Sequence, residues 1–116
     1  IAIDPEGRFV YVAETRRNRI LRWALREGQV VAREPEVFAE LPPSAVGPDG
    51  MRFDRAGNLW IAHYGRGVSK LDKQGKEVAL YSLPGKGITN LEFGGNDGRW
   101  LFVTETQTNA LYRANL

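Results

Sequence analysis

The chain has 116 residues, of which 42% are hydrophobic and 26% charged, with a formal net charge of +2 and an isoelectric point near 9.2. That balance describes one small globular domain, and no run approaches the roughly 18 apolar residues needed to span a bilayer. The absence of cysteine excludes disulfides, a thiolate nucleophile and Cys-ligated zinc, leaving oxygen and His ligands open.

The N-terminus lacks the basic-then-apolar pattern of a secretory signal, and the compartment stays open, with the cytoplasm slightly favoured. Arg16, Arg17, Arg19, Arg22 and Arg26 cluster early in the chain. They alternate with Trp23, Leu25 and nearby acids, and no nucleic-acid-binding signature accompanies them. A solvated strand face is expected there, and neither nucleic acid nor membrane is expected as a partner.

Three segments align beneath one another. Ile1-Ala-Ile-Asp4-Pro-Glu-Gly7 leads into Phe9 to Glu14, Met51-Arg-Phe-Asp54-Arg-Ala-Gly57 leads into Leu59 to His63, and Leu91 to Gly98 leads into Trp100 to Glu105. Each is a short alternating strand, a turn ending in Gly and a stronger apolar strand. Glu14-Thr15-x-x-Asn18 recurs as Glu105-Thr106-x-x-Asn109. The turn glycines Gly7, Gly57 and Gly98 stand 50 and 41 residues apart. A period of that length with several short strands per unit predicts an all-β fold, a β-propeller segment of about three four-stranded blades at 1–47, 48–87 and 88–116.

In chain order, strands are expected at 1–4, 9–14, 19–25 and 36–39 in the first blade. The second blade takes 51–54, 59–63, 67–72 and 77–82, and the third 90–93, 100–105 and 110–114. No helix is required. The best helical competitor, Arg26 to Glu40, is broken by Gly28, by the β-branched pair Val30 and Val31, and by Pro35.

Propellers close with about four to eight blades, so this segment reads as part of a longer ring. Open blade ends expose apolar sheet faces. Either further sequence completes the ring or two copies associate as a homodimer of about six blades. The second route predicts self-association, which a monomer of about 13 kDa in analytical ultracentrifugation would exclude.

The chemistry centres on Gly47-Pro48-Asp49-Gly50-Met51, which holds a carboxylate in a Pro- and Gly-flanked turn ahead of an alternating strand. A carboxylate entering an innermost strand points at the propeller axis, where it can hold a hard cation.

Pro48-Asp49-Gly50-Met51 through Asn58-Leu59-Trp60-Ile61-Ala62-His63-Tyr64-Gly65, followed by Thr89-Asn90-Leu91-Glu92-Phe93-Gly94-Gly95, resembles the C-terminal half of the regucalcin/gluconolactonase family, also called the senescence marker protein family. The opening Ile1 to Gly7 with Tyr11 to Thr15 is similar to that family's preceding blade. The resemblance implies a six-bladed propeller that binds one divalent cation, calcium or zinc, and hydrolyses sugar lactones or related esters as small-molecule substrates. It makes Asp49 both a metal ligand and the general base. The family's other ligands, a Glu on an N-terminal blade and an Asn preceding the strand matched by Ile1 to Ile3, have no counterpart among these residues.

Thr89 aligns with Asp49, and Asn90 lies beside it. Both are candidates for substrate binding at the tunnel mouth, against simple turn hydrogen bonding. His63, at the end of a second strand, matches Glu14 and Glu105 and is expected to make a blade-edge hydrogen bond rather than act as a catalytic imidazole. Asp4 and Asp54 precede blade turns, where each should accept turn N–H groups. Trp60 and Trp100 are expected between blades. Glu14 and Glu105 belong to different blades and do not form a glycosidase pair. Two competing readings are a non-catalytic propeller scaffold and a metal-free interaction module in which Asp49 is structural.

Overall fold

A computed structural model describes all 116 residues and contains twelve strands and one short 3-10 turn. Three antiparallel sheets follow one another along the chain. The first comprises β1 (Ala2–Ile3), β2 (Phe9–Glu14), β3 (Arg19–Arg26), β4 (Gln29–Val30) and β5 (Glu36–Glu40). The second comprises β6 (Gly47–Phe53), β7 (Leu59–Tyr64), β8 (Gly67–Leu71) and β9 (Glu77–Tyr81). The third comprises β10 (Ile88–Gly94), β11 (Trp100–Glu105) and β12 (Ala110–Asn115). The edge strands β1, β6 and β10 pack side by side, so they line the inner rim of a propeller and β5, β9 and β12 lie outward.

The alternation of β7 explains the stacking. Leu59 and Ile61 point to one side and join Met51 and Leu71 against Tyr11, Ile20, Ala39 and Leu41 of the first sheet. Trp60 and Ala62 point to the other and join Val68 against Ile88, Leu91, Leu101 and Val103 of the third. Because both faces of this strand are covered, Leu59 to His63 are all buried. Each fully buried aliphatic side chain contributes about 1.5–3 kcal/mol.

Trp60 packs edge-on against Phe93 with centroids 5.6 Å apart and stacks on Tyr81 at 5.3 Å, an interblade role as expected. Within β11, Leu101 and Val103 take the interface with the second blade, and Trp100 alternates to the opposite, open face of the third blade, where it is half-buried beneath the Arg113 guanidinium.

The blade turns follow the expected carboxylate logic. Asp4 Oδ1 accepts the N–H groups of Arg8 and Phe9, each at 2.7 Å. Asp54 accepts from the Asn58 N–H at 2.8 Å and from the Trp60 indole N–H at 2.9 Å.

Three local differences separate the strands from their sequence-based expectation. β6 and β10 begin at Gly47 and Ile88, four and two residues earlier than expected, because pairing continues through irregular positions. A two-residue turn at Glu27-Gly28, both with positive φ, extends β3 into the β4 hairpin. Thr15–Arg17 forms the single 3-10 turn, closed by Asn18 in the left-handed region at φ 49°. Asn109 repeats that conformation at φ 51°, which explains why Asn recurs in the Glu-Thr-x-x-Asn pair.

The outer blades each leave one face uncovered. Ile3 is 58% and Val37 48% exposed on the first sheet, and Leu111 is 67% exposed on the third.

Candidate active site

The Gly-Pro-Asp-Gly stretch is not a turn before β6 but part of β6 itself. Pro48 pairs with His63 and Met51 with Ile61, so Asp49 and Gly50 together face Ala62. Two residues against one make a β-bulge, which bends the strand and re-aims the extra side chain. Proline is tolerated here because β6 is an edge strand whose outward N–H side needs no ladder partner. Asp49 is exposed on this inner edge, and no basic side chain lies within ion-pair distance of it.

The third blade repeats the device. Ile88 pairs with Glu105 and Asn90 with Thr104, leaving Thr89 as the extra residue. Thr89 therefore occupies the register position of Asp49, and Asn90 that of Gly50. The two bulges touch, since a Cβ on Gly50 would lie 2.2 Å from Asn90 Oδ1 and 2.8 Å from its Cα. Asn90 is thus brought beside the Asp49 bulge, with its Oδ1 accepting the Leu91 N–H at 2.9 Å. Thr89 turns inward to its own blade, its hydroxyl 2.8 Å from that of Thr104.

Directly behind the Asp49 bulge lies His63, fully buried. Its Nε2 is 3.3 Å from Asn18 Oδ1, and its Nδ1 is 3.3 Å from the Arg66 guanidinium and 3.4 Å from the Ser69 hydroxyl. Arg66 is clamped by Glu77 through two bonds of 2.7 and 3.1 Å. A guanidinium can only donate, so Nδ1 is the acceptor and Nε2 carries the proton that is donated to Asn18. Burial, with the Arg66 charge beside it, pushes the imidazole from 6.5 down to about 4. His63 is a neutral structural imidazole at neutral pH. The Arg66–Glu77 pair and its two partners on the imidazole were not anticipated. The signal available was a run of polar residues, His63, Ser69 and Glu77, within otherwise apolar strands.

Glu105 holds the same register position in the third blade. It is buried and accepts the N–H groups of Gly87, Gln107 and Thr108 at 2.7–2.8 Å, together with the Thr108 hydroxyl. Burial pushes its carboxyl up, but these donors outweigh burial and bring it down from 4.5 to about 2. Glu14, the first-blade counterpart, pairs with Arg19 at 2.6 Å and Arg17 at 3.3 Å. These two carboxylates are occupied by their own blades.

Both shifts set a pH dependence of stability. For His63 the unfolded chain binds a proton that the folded chain refuses between pH 6.5 and about 4, so stability is complete above 6.5 and falls as pH drops through that window. Glu105 adds a second loss as pH falls from 4.5 towards 2. Urea unfolding of the intact protein should show a decrease on the order of 2 kcal/mol from pH 7 to pH 4, reduced in His63→Gln. A flat profile in that range would refute the buried neutral imidazole.

Around Asp49 the inner wall carries an ion pair between Arg52 and Glu92, 2.7 Å apart across the blade boundary. It holds the Glu92 carboxyl below its ordinary value. A hollow of about 560 Å³ lies at the opposite end of β6, beside Asp54, Arg55 and Arg99, away from the Asp49 bulge. Nowhere do three His, Asp or Glu side chains gather as a ligand set. For a divalent cation, these residues therefore supply one fitting ligand, the unpaired Asp49 carboxylate, rather than a complete shell.

Residues 1–107 match the SMP-30/gluconolactonase/LRE-like region. The chain belongs to that family. It is 38% identical over 97 residues to the pentonolactonase XacC of Haloferax volcanii, covering 81% of this chain and 33% of that protein. It is 32% identical over 112 residues to a 6-deoxy-6-sulfogluconolactonase of Pseudomonas putida, covering 94% of this chain and 38% of that protein. The crystal structure of regucalcin from Agrobacterium tumefaciens, a calcium-binding protein, superposes with a TM-score of 0.82 at 32% identity over 94% of this chain and 41% of that one. The chain thus spans about one third of the length of the curated relatives it matches. The fold class is that of a six-bladed gluconolactonase-family propeller, of which these residues form one arc.

Proposed function

We propose that this chain contributes part of the active site of a metal-dependent hydrolase of sugar lactones, with Asp49 as a ligand to one divalent cation, calcium or zinc, and as the general base. The observation that carries this reading is the Asp49 carboxylate itself: aimed from a bulge on the innermost strand, exposed and without an ion-pair partner. A structural aspartate would be engaged, as Asp4 and Asp54 are. Lactonase activity in the relatives from Haloferax volcanii and Pseudomonas putida supports the substrate class.

A lactone is opened when water adds to its carbonyl carbon and the ring C–O bond breaks, giving a hydroxy acid. When bound, the cation would polarise that carbonyl. Asp49 takes the proton released by the attacking water, a role open to a carboxylate that no cationic side chain neutralises. Asn90, beside the bulge, has an amide NH2 to offer a substrate oxygen, and the neighbouring Thr89, whose hydroxyl bonds that of Thr104, is the weaker candidate for substrate contact. The test is aldonolactone hydrolysis by the intact polypeptide carrying these residues, after chelation and on return of calcium or zinc. Acid release that is lost on chelation and restored by the cation supports the reading; hydrolysis indistinguishable from the uncatalysed rate under all conditions refutes it.

A further inference from the structure

The structure assigns His63, with Asn18 as its partner, as the positioning residue for Asp49, acting through a polar chain that crosses from the outer strand of the second blade to the first blade. This assignment rests on the reading of Asp49 as the cation-binding carboxylate. A bulge is a weak way to aim a side chain by itself, because the extra residue is left out of the ladder. Something must therefore fix the strand on either side of it.

On the C-terminal side the fixing is ordinary packing, with Met51 fully buried. On the N-terminal side β6 begins at Gly47, with only Gly47 and Pro48 paired before the bulge. The hold on this short end is polar. Asn18 Oδ1 accepts the Ser44 N–H at 3.1 Å and lies 3.3 Å from the Ser44 hydroxyl, which in turn donates to the Tyr64 carbonyl at 2.6 Å. The Asn18 carbonyl accepts the Leu41 N–H at 2.8 Å. One side chain of the first blade thus ties down the segment that leads into Asp49.

His63 sits directly opposite Pro48 and fastens Asn18 to the second blade. Its orientation is fixed from behind. Glu77 on β9 clamps Arg66, Arg66 donates to Nδ1, and the one remaining N–H has only Asn18 to address. A chain of this kind holds a single geometry because its buried donors and acceptors satisfy one another, and turning the ring would leave the Arg66 guanidinium facing an N–H. The other blades carry a different group at this position. Glu105 and Glu14 occupy the same place where donors face them, but an acceptor-only carboxylate could not bond Asn18 Oδ1.

The experiment uses the intact polypeptide and calcium titration by calorimetry, with kcat and KM for an aldonolactone measured in parallel. His63→Leu should weaken calcium binding at least tenfold and lower kcat about tenfold with KM little changed. His63→Gln, whose amide can still donate to Asn18, should recover binding to within about threefold. Ser44→Ala, at a half-buried surface site, should weaken binding about threefold. A folded His63→Leu with wild-type calcium affinity and kcat overturns the assignment. Should that variant fail to fold, Ser44→Ala decides, and unchanged calcium affinity there overturns it. Asp49→Asn runs alongside. If it binds calcium as the wild type does, the reading of Asp49 fails and the positioning role with it; if it loses binding while His63→Leu keeps it, only the positioning role fails.

Discussion

Asp49→Asn should lower lactone hydrolysis by the intact protein about a thousandfold while leaving its melting temperature unchanged. The substitution is isosteric, so the bulge and its neighbours keep their places. What is lost is the charge and the ability to take a proton, and a positioned general base is worth roughly 10²–10⁴ in rate. Stability is spared because the carboxylate forms no ion pair and is exposed. Asp49→Glu separates the two roles: it keeps the base but moves it by one methylene, and should retain a small part of the activity. The check is initial rates by pH-stat for all three proteins, with thermal melts. Near-wild-type turnover in Asp49→Asn would remove Asp49 from the chemistry and favour a scaffold or interaction role for this family member.

The largest stability effect is expected at Gly47. Its φ of +122° is a region that L side chains rarely adopt, and an added Cβ would lie 1.9 Å from the Thr15 carbonyl oxygen and 2.8 Å from its carbon. Those are backbone atoms of the 3-10 turn and cannot rotate aside. Gly47→Ala must therefore push β6 away from the first blade, opening the interface where Tyr11 and Ile20 meet Met51 and Ile61. A cost of at least about 3 kcal/mol is expected, since strain and lost burial add. Gly28→Ala is the control. Its φ is also positive, at +75°, but a Cβ there meets nothing within 4 Å, so the cost should stay near 1 kcal/mol. Equal unfolding midpoints for the two variants would show that the Gly47 contact is not a constraint.

Much of this arc was legible before the structure. Continuous apolar runs after the Gly turns marked β2, β7 and β11, and β7 shows the reason most clearly: a strand covered on both sides must be apolar at consecutive positions, as Leu59 to Ala62 are. The Asp-x-x-Gly turns were readable because their chemistry is local: a carboxylate accepts N–H groups a few residues ahead, as at Asp54 and Asn58. The family resemblance was readable too, and residues 1–107 match that family. Which face of β11 meets the second blade was not readable, because alternation alone does not say so: Leu101 and Val103 face it, and Trp100 lies on the opposite side.

By itself, the sequence determined the repeat, the strand-turn rhythm and the carboxylate at position 49, since these follow from side-chain period and short-range hydrogen bonding. Only the tertiary structure decided that Pro48-Asp49-Gly50 is a bulge inside β6, that Asn90 closes against it, and that His63 reaches Asn18 across a blade boundary. Each of these depends on partners 40 or more residues away for the interblade contacts, or on a competing strand register for the bulge. A Pro-Asp-Gly triplet prefers a turn when judged on local conformation alone. It became part of a strand here because burying Met51 and Ile61 between blades outweighs that preference.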